Sequence, residues 1–262
     1  MDKRRVVVTG LGTVNPCGLS VEESFENVKN AKVGIGPITR FSVPDFSVKV
    51  VGEVKGFDPL KYMKKRDARH MDLFTQYAMA AADEALKDAG VLDEEGNLSS
   101  EIDAKRFGTD ISSGIGGLTT IEEQHIRGME KGFERVSPFF IPMSIANMAA
   151  GQVSIRYGLK GMSTCPVAAC AGGTLAIGDA FHRVRDGYED MMICGGTESC
   201  ITPLAMGGFS NMGALTKAED YNRASIPFDA ERSVFVMGEG CGLLVLEEYE
   251  HARARGSHIY CE

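Results

Sequence analysis

Short strand-like segments alternate with helical ones along the chain, and three of them run into glycine groups. Residues 6–9 precede Gly10-Leu11-Gly12, residues 107–112 precede Gly114-Ile115-Gly116-Gly117, and residues 191–194 precede Gly195-Gly196. The apolar runs at 6–9 and 191–194 predict buried strands, 107–112 is read as a third strand, and helical segments between them predict a mixed, mostly parallel sheet covered by helices. The fold class is therefore α/β, and each glycine group is read as the turn that ends its strand. Further strands are expected over residues 48–54, 162–169 and 241–246, with the start of another at 257–261. Ser20 and Glu23 form a capping box that opens a helix to about Asn30. Residues 71–89 place Phe74, Tyr77, Ala78, Ala81 and Ala85 on one helical stripe and stop at Gly90. Helices are also predicted up to about Lys131, over 146–157, 174–186 and 248–255, whereas 93–103, 137–142 and much of 201–221 read as loop.

Composition narrows the functional classes. Of 262 residues 44% are hydrophobic and 24% charged, values of an ordinary globular chain. The formal net charge of −8 disfavours bulk nucleic-acid binding, because phosphate contacts require a basic surface. No apolar run approaches a membrane span, and the run at residues 6–8 is too short for a signal-peptide core, so a cytoplasmic protein without a membrane partner is expected. The seven cysteines include no CxxC pair. That argues against a disulfide framework and against a zinc site, and no metal or cofactor is expected.

The segment with chemistry in it is Ser163-Thr164-Cys165-Pro166-Val167-Ala168-Ala169-Cys170-Ala171-Gly172-Gly173-Thr174. It reads as strand, cysteine, small residues, helix. A cysteine at such a junction sits at a helix N-terminus, where unpaired N–H groups and the helix dipole favour a thiolate, and small neighbours leave room for a bulky thioester. The residues alone leave two readings open: Cys170 as a nucleophile, or Cys170 as a buried structural thiol. Cys165, placed inside the strand, is expected to be inert.

Ala169-Cys170-Ala171-Gly172-Gly173 resembles the nucleophile motif of the elongating β-ketoacyl-acyl carrier protein synthases, and so, in order, do several other segments. They are Val7-Val8-Thr9-Gly10-Leu11-Gly12, Ser113-Gly114-Ile115-Gly116-Gly117, Ser137-Pro138-Phe139-Phe140, Cys194-Gly195-Gly196-Thr197-Glu198, Gly207-Gly208-Phe209, Arg223-Ala224-Ser225-Ile226-Pro227-Phe228-Asp229 and Met237-Gly238-Glu239-Gly240. The resemblance implies a thiolase-like fold, of which this chain would be the N-terminal half. Residues 1–250 would form the N-terminal ketosynthase domain, and 251–262 the start of a truncated C-terminal domain. It implies an acyltransferase of fatty acid biosynthesis: Cys170 accepts an acyl chain from acyl carrier protein, malonyl-acyl carrier protein decarboxylates, and the carbanion attacks the acyl thioester. Ile115, Phe140 and Phe209 would line the acyl pocket. Arg66 and Arg69, in a cluster with Lys64, Lys65 and His70, and Arg135 would dock the carrier protein. The family works as a homodimer, with the strand at 162–167 pairing across the two-fold.

Departures from the family pattern are informative. Two histidines of the family's second half stabilise the enolate, and none of the five here (His70, His125, His182, His251, His258) has their glycine-flanked setting. The chain also ends inside an apparent strand, which suggests truncation, so residues 1–262 alone are expected not to complete the condensation. Val234 stands where the family has glycine and is expected either to strain its turn or to be tolerated; Gly213 stands at a basic position of the docking patch. A non-catalytic partner subunit would lack the nucleophile, which is present. A thiolase acting on coenzyme A thioesters is disfavoured by the Ile115 loop and the basic cluster. A dinucleotide site at Gly10-x-Gly12 is disfavoured because Asn15 occupies the third glycine position.

Overall fold

The structure is a computed structural model, described over residues 3–42 and 46–262. In chain order its elements are β1 (Val6–Val14), α1 (Val21–Lys29), β2 (Gly36–Pro37), β3 (Val50–Val51), α2 (Lys65–Ala68), α3 (Leu73–Asp88), β4 (Phe107–Ser112), α4 (Leu118–Lys131), α5 (Phe140–Ser144), α6 (Met148–Tyr157), β5 (Ser163–Thr164), α7 (Gly172–Arg185), β6 (Met191–Glu198), α8 (Pro203–Asn211), β7 (Gly240–Glu248) and α9 (Tyr249–Ala254). A five-stranded sheet in the order β1-β7-β6-β4-β5 forms the frame, and β2 and β3 pair separately. The pairs β6–β4 and β4–β5 are parallel, and β1–β7 and β7–β6 antiparallel. Four strands thus run one way and β7 alone runs against them, which makes the sheet mixed.

Helices cover both faces, and the two-residue period of the strands assigns the side chains. Met191 and Ile193 of β6 join Phe107, Ile111, Leu243 and Val245 under α3 and α6. Met192 and Cys194 face the other way, with Ala180 and Val184 of α7. Ten residues of α3 are buried, the expected five among them, because the helix is enclosed on more than one side. Gly90, with φ +66° just past the end, is the expected stop, and the Asp72 carboxylate caps the other end by accepting from the Phe74 N–H. At α1 the Ser20 hydroxyl accepts from the Glu23 N–H at 3.1 Å, while the Glu23 carboxylate reaches back to the Leu19 N–H at 2.8 Å.

Several boundaries differ from expectation. Gly10 and Gly12 do not end β1 but lie inside it, beside a bulge after Val8. A Cβ at Gly10 would sit 2.3 Å from the Ala85 carbonyl oxygen and one at Gly12 2.0 Å from that of Ala81, so these glycines let β1 press against the backbone of α3. Gly195 and Gly196 likewise lie within β6. The strand expected over 162–169 shrinks to Ser163–Thr164; Pro166 has no N–H to offer a ladder, and Ala169 has φ +46°. Of the expected strand over 48–54 only Val50–Val51 form a strand, with Gly52 bridging Gly238, and part of the expected loop at 137–142 belongs to α5. Residues 257–261 form no strand; Cys261 bridges Val8, the Val8 N–H donating to the Cys261 carbonyl and the Tyr260 N–H to the Val8 carbonyl, each at 2.9 Å.

Candidate active site

Cys170 lies in a single 3-10 turn, Ala169–Ala171, that runs directly into α7, beyond the carboxyl ends of β4 and β6. Ligands of open α/β sheets bind at that edge. The Cys170 side chain is exposed. The turn is tightly seated below. The Ser112 hydroxyl, at the last position of β4, donates to the Pro166 carbonyl at 2.6 Å. A Cβ at Gly172 would fall 2.1 Å from that same hydroxyl oxygen, and one at Gly196 3.1 Å from the Gly173 Cα. The first turn of α7 therefore lies close on the glycine backbone of β6, where a side chain at Gly196 would be tight.

The neighbouring loop is held by a carboxylate. Glu198, at the end of β6, accepts from the Gly114 N–H at 2.8 Å, the Ile115 N–H at 3.1 Å and the Ser113 hydroxyl at 3.1 Å. The Ser113 oxygen in turn accepts from the Gly116 N–H at 2.9 Å. Burial pushes the Glu198 carboxyl above the usual range, and these donors oppose the shift. Gly116, with φ +74°, and Gly117 pass so close to α5 that a Cβ would lie 2.7 Å from the Ser144 carbonyl oxygen and 2.2 Å from that of Met143. The Ile115 loop is thereby joined to the element that begins with Phe140. Ile115 is 37% exposed and Phe140 half-buried. Phe209, on α8, packs on a separate cluster of Val48, Val51, Ile201, Met206 and Leu215, which Leu118 links to the loop, and meets Phe235 edge-on at 5.7 Å.

Most other cysteines contrast with Cys170, although Cys261 is also exposed. Cys194, Cys200 and Cys241 are buried. Burial pushes all three thiols up, to about 12 for Cys200 and Cys241. Cys165 is half-buried, and burial raises its thiol too. Each histidine is engaged elsewhere. His70 stacks on Phe139 at 3.7 Å, His125 lies near Phe133, His251 pairs with Glu247 at 2.5 Å, and His258 meets Tyr260. His182, on α7 and twelve positions after Cys170, is roughly 18 Å from it by helical rise.

The His70–Phe139 stack also brings the basic segment to the segment holding Arg135. Arg66 and Arg69 at α2, and Arg135 in a 3-10 turn after α4, are exposed, and none makes an ion pair among the described residues. Val234 is 45% exposed and is not among the non-glycine residues with positive φ, so the expected turn strain is not found. The sequence reading missed Ser112 and Glu198 as structural determinants of the site.

Residues 3–252 match the family described as "Beta-ketoacyl synthase, N-terminal domain". The chain belongs to the β-ketoacyl synthase family. It is 46% identical over 263 residues to the 3-oxoacyl-[acyl-carrier-protein] synthase 2 of Synechocystis sp., covering 100% of this chain and 62% of that protein. Against the protein of the same name from Staphylococcus aureus (strain N315) the identity is 49% over 259 residues, covering 99% and 61%. This chain thus spans about three-fifths of the length of those relatives. Among solved structures, the ketosynthase in a complex described as a type II PKS acyl-carrier protein with its ketosynthase bound to the hexaketide superposes with a TM-score of 0.85 at 34% identity, covering 99% of this chain and 62% of that one. A beta-ketoacyl synthase from Burkholderia phymatum gives 0.85 at 30% identity, covering 98% and 62%. The fold is accordingly thiolase-like.

Proposed function

We propose that this chain carries the acyl-accepting part of a 3-oxoacyl-[acyl-carrier-protein] synthase of fatty acid biosynthesis, with Cys170 as nucleophile. The observation that carries the reading is the exposed Cys170 thiol at the strand-to-helix junction of a family member whose Cys194, Cys200 and Cys241 are buried. The Cys170 thiolate attacks the carbonyl of an acyl thioester, and the carrier thiol leaves with a proton. Malonyl-acyl carrier protein then loses carbon dioxide, and its carbanion displaces Cys170 from the acyl carbon to give the β-ketoacyl product. The two histidines that stabilise the enolate belong, in this reading, to the part of the relatives' length that residues 1–262 do not span. Residues 1–250 are the N-terminal domain and 251–262 the start of the next. Ile115, Phe140 and Phe209 line the acyl pocket. Exposed, unpaired Arg66, Arg69 and Arg135 receive an acidic acyl carrier protein, as the carrier-bound relative supports. The working form is a cytoplasmic homodimer. Cys170 itself disfavours a non-catalytic partner subunit.

The test is acylation of the 262-residue chain by an acyl-acyl carrier protein, mapped by mass spectrometry, followed by addition of malonyl-acyl carrier protein. The expected result is a single acyl adduct on Cys170, absent from Cys170→Ala, and no chain elongation. An adduct on Cys165 or Cys261 overturns the nucleophile assignment. Elongation at the rate of a longer relative overturns the placement of the histidines.

A further inference from the structure

We infer that Ser112 is a positioning residue for Cys170, and that it forms with Gly172 a complementary pair across the sheet–helix contact that sets where the nucleophile turn lies. The inference rests on Cys170 being the reactive thiol. Residues 165–168 have no regular secondary structure, and Val167 among them is 63% exposed. A segment with this little packing does not hold a thiol still by itself. Ser112, 2% exposed at the end of β4, supplies a tether through its 2.6 Å bond to the Pro166 carbonyl. The Ala171 N–H to Ala168 carbonyl bond, at 3.0 Å, then closes the turn around Ala169, whose φ of +46° is a conformation alanine rarely adopts.

The same hydroxyl determines what can follow the cysteine. A Cβ at Gly172 would lie 2.1 Å from the Ser112 oxygen and 3.1 Å from its Cβ, so the Ser112 side chain occupies the space that any side chain at 172 would need. Position 112 is filled and position 172 is empty. A side chain at 172 would have to push the Ser112 hydroxyl off its bond to the Pro166 carbonyl. Cys170 sits two residues before Gly172 and four after Pro166, so both ends of its turn are referenced to this one hydroxyl. Displacement of either end moves Cys170 relative to the first turn of α7, which begins at Gly172.

The test measures alkylation of Cys170 by substoichiometric iodoacetamide, with exposed Cys261 as an internal standard for each protein, and the urea midpoint of each protein alongside. Ser112→Ala should lower the Cys170/Cys261 rate ratio about fivefold, the factor that corresponds to the net worth of one hydrogen bond. Gly172→Ser should lower the ratio further, by about tenfold or more, because the overlap forces the turn to move. The exchange Ser112→Gly with Gly172→Ser, which moves the side chain across the contact, should recover most of the loss, whereas two independent lesions would add. Cys170 labelled in the wild type with a ratio unchanged in Ser112→Ala overturns the tether. An exchange variant no better than Gly172→Ser overturns the pairing. If Cys170 is not preferentially labelled in the wild type, the nucleophile reading has failed instead.

Discussion

The two ends of the five-stranded sheet are built from opposite materials. At the end where β1, β4 and β6 begin, charge closes the structure. Asp190 is held by Arg4 at 2.6 Å and by Arg106, and buried Glu247 takes a two-pronged contact from Arg255 at 2.7 Å on each oxygen and a bond from His251. At the end where those strands finish, the candidate site is built from glycine and hydroxyl groups. Glu198 there is satisfied by the Gly114 and Ile115 N–H groups and the Ser113 hydroxyl rather than by a cation. An ion pair on that side, Arg40 with Glu239, ties the segments around Arg40 and Val54 to the start of β7 rather than holding the Cys170 turn. The difference divides labour. Ion pairs fix the strand starts and keep the frame rigid, while close backbone contact at the other end leaves the thiol uncovered. A cation beside Cys170 would favour the thiolate but would also occupy the approach that an acyl thioester needs.

The largest expected break comes from the charged end. Arg255→Met keeps the stem and removes the guanidinium, leaving Glu247, with no exposed side-chain surface, without its main partner. Stranding a buried carboxylate in this way should destabilise the chain by about 3 kcal/mol. Urea unfolding measures this, and alkylation of Cys170 in native buffer should be unchanged. A loss below about 0.5 kcal/mol would place this pair with solvent-exposed ion pairs and remove the contrast between the two ends.

A second effect tests the same end by pH. Hydrogen bonds from Arg106 and then Arg4 hold the Asp190 carboxyl down, to about 2, against a desolvation effect of opposite sign. A carboxylate with a depressed folded pKa contributes stability that is complete above its unfolded value and is lost as pH falls through the folded value. The contribution, about 2 kcal/mol at most, is therefore present above pH about 4 and disappears between about 4 and 2. The difference in stability between the wild type and Asp190→Asn should shrink over that window and stay flat from pH 5 to 7. A difference that persists at pH 2 would mean that Asp190 acts through packing rather than charge.

How much of this was legible in the sequence differs between the two ends as well. The strands at 6–9 and 191–194 were readable as short apolar runs, and α3 because its stripe and its Gly90 stop are local. The Cys170 junction was readable from small residues around a cysteine, sharpened by resemblance. The glycines of β1 were misread, because a glycine that ends a strand and one that lets a helix approach look alike until Ala81 and Ala85 are in place across the contact. Pro166 could have shortened the expected strand over 162–169, since it offers no ladder donor. The tethers of the site were illegible for a different reason. Ser112 acts on a carbonyl 54 positions away and Glu198 on a loop 84 positions away, and neither contact leaves a periodicity or a cap behind. The exposed arginines stand between these cases, since charge is visible in sequence but the His70–Phe139 stack that gathers them is not.

The smallest expected effect is at the open end, where two terms oppose each other. Ala169 holds φ +46°, which costs an alanine roughly 1 kcal/mol, and Ala169→Gly removes that cost. The same change gives the unfolded chain more freedom, which favours unfolding by about 0.4–1 kcal/mol. The net change in stability should therefore lie within about 0.5 kcal/mol of zero, far below the effect of Arg255→Met. Reactivity should respond more than stability does. Glycine keeps the turn available but no longer confines it, so the thiol samples more orientations, and the Cys170/Cys261 alkylation ratio should fall about twofold to threefold while the urea midpoint hardly moves. A stability loss above about 1 kcal/mol would show that the Ala169 methyl group packs like a core residue, and that the open end is as tightly built as the charged one. An unchanged ratio would show that the Ser112 tether holds the turn alone, without the stiffness of Ala169.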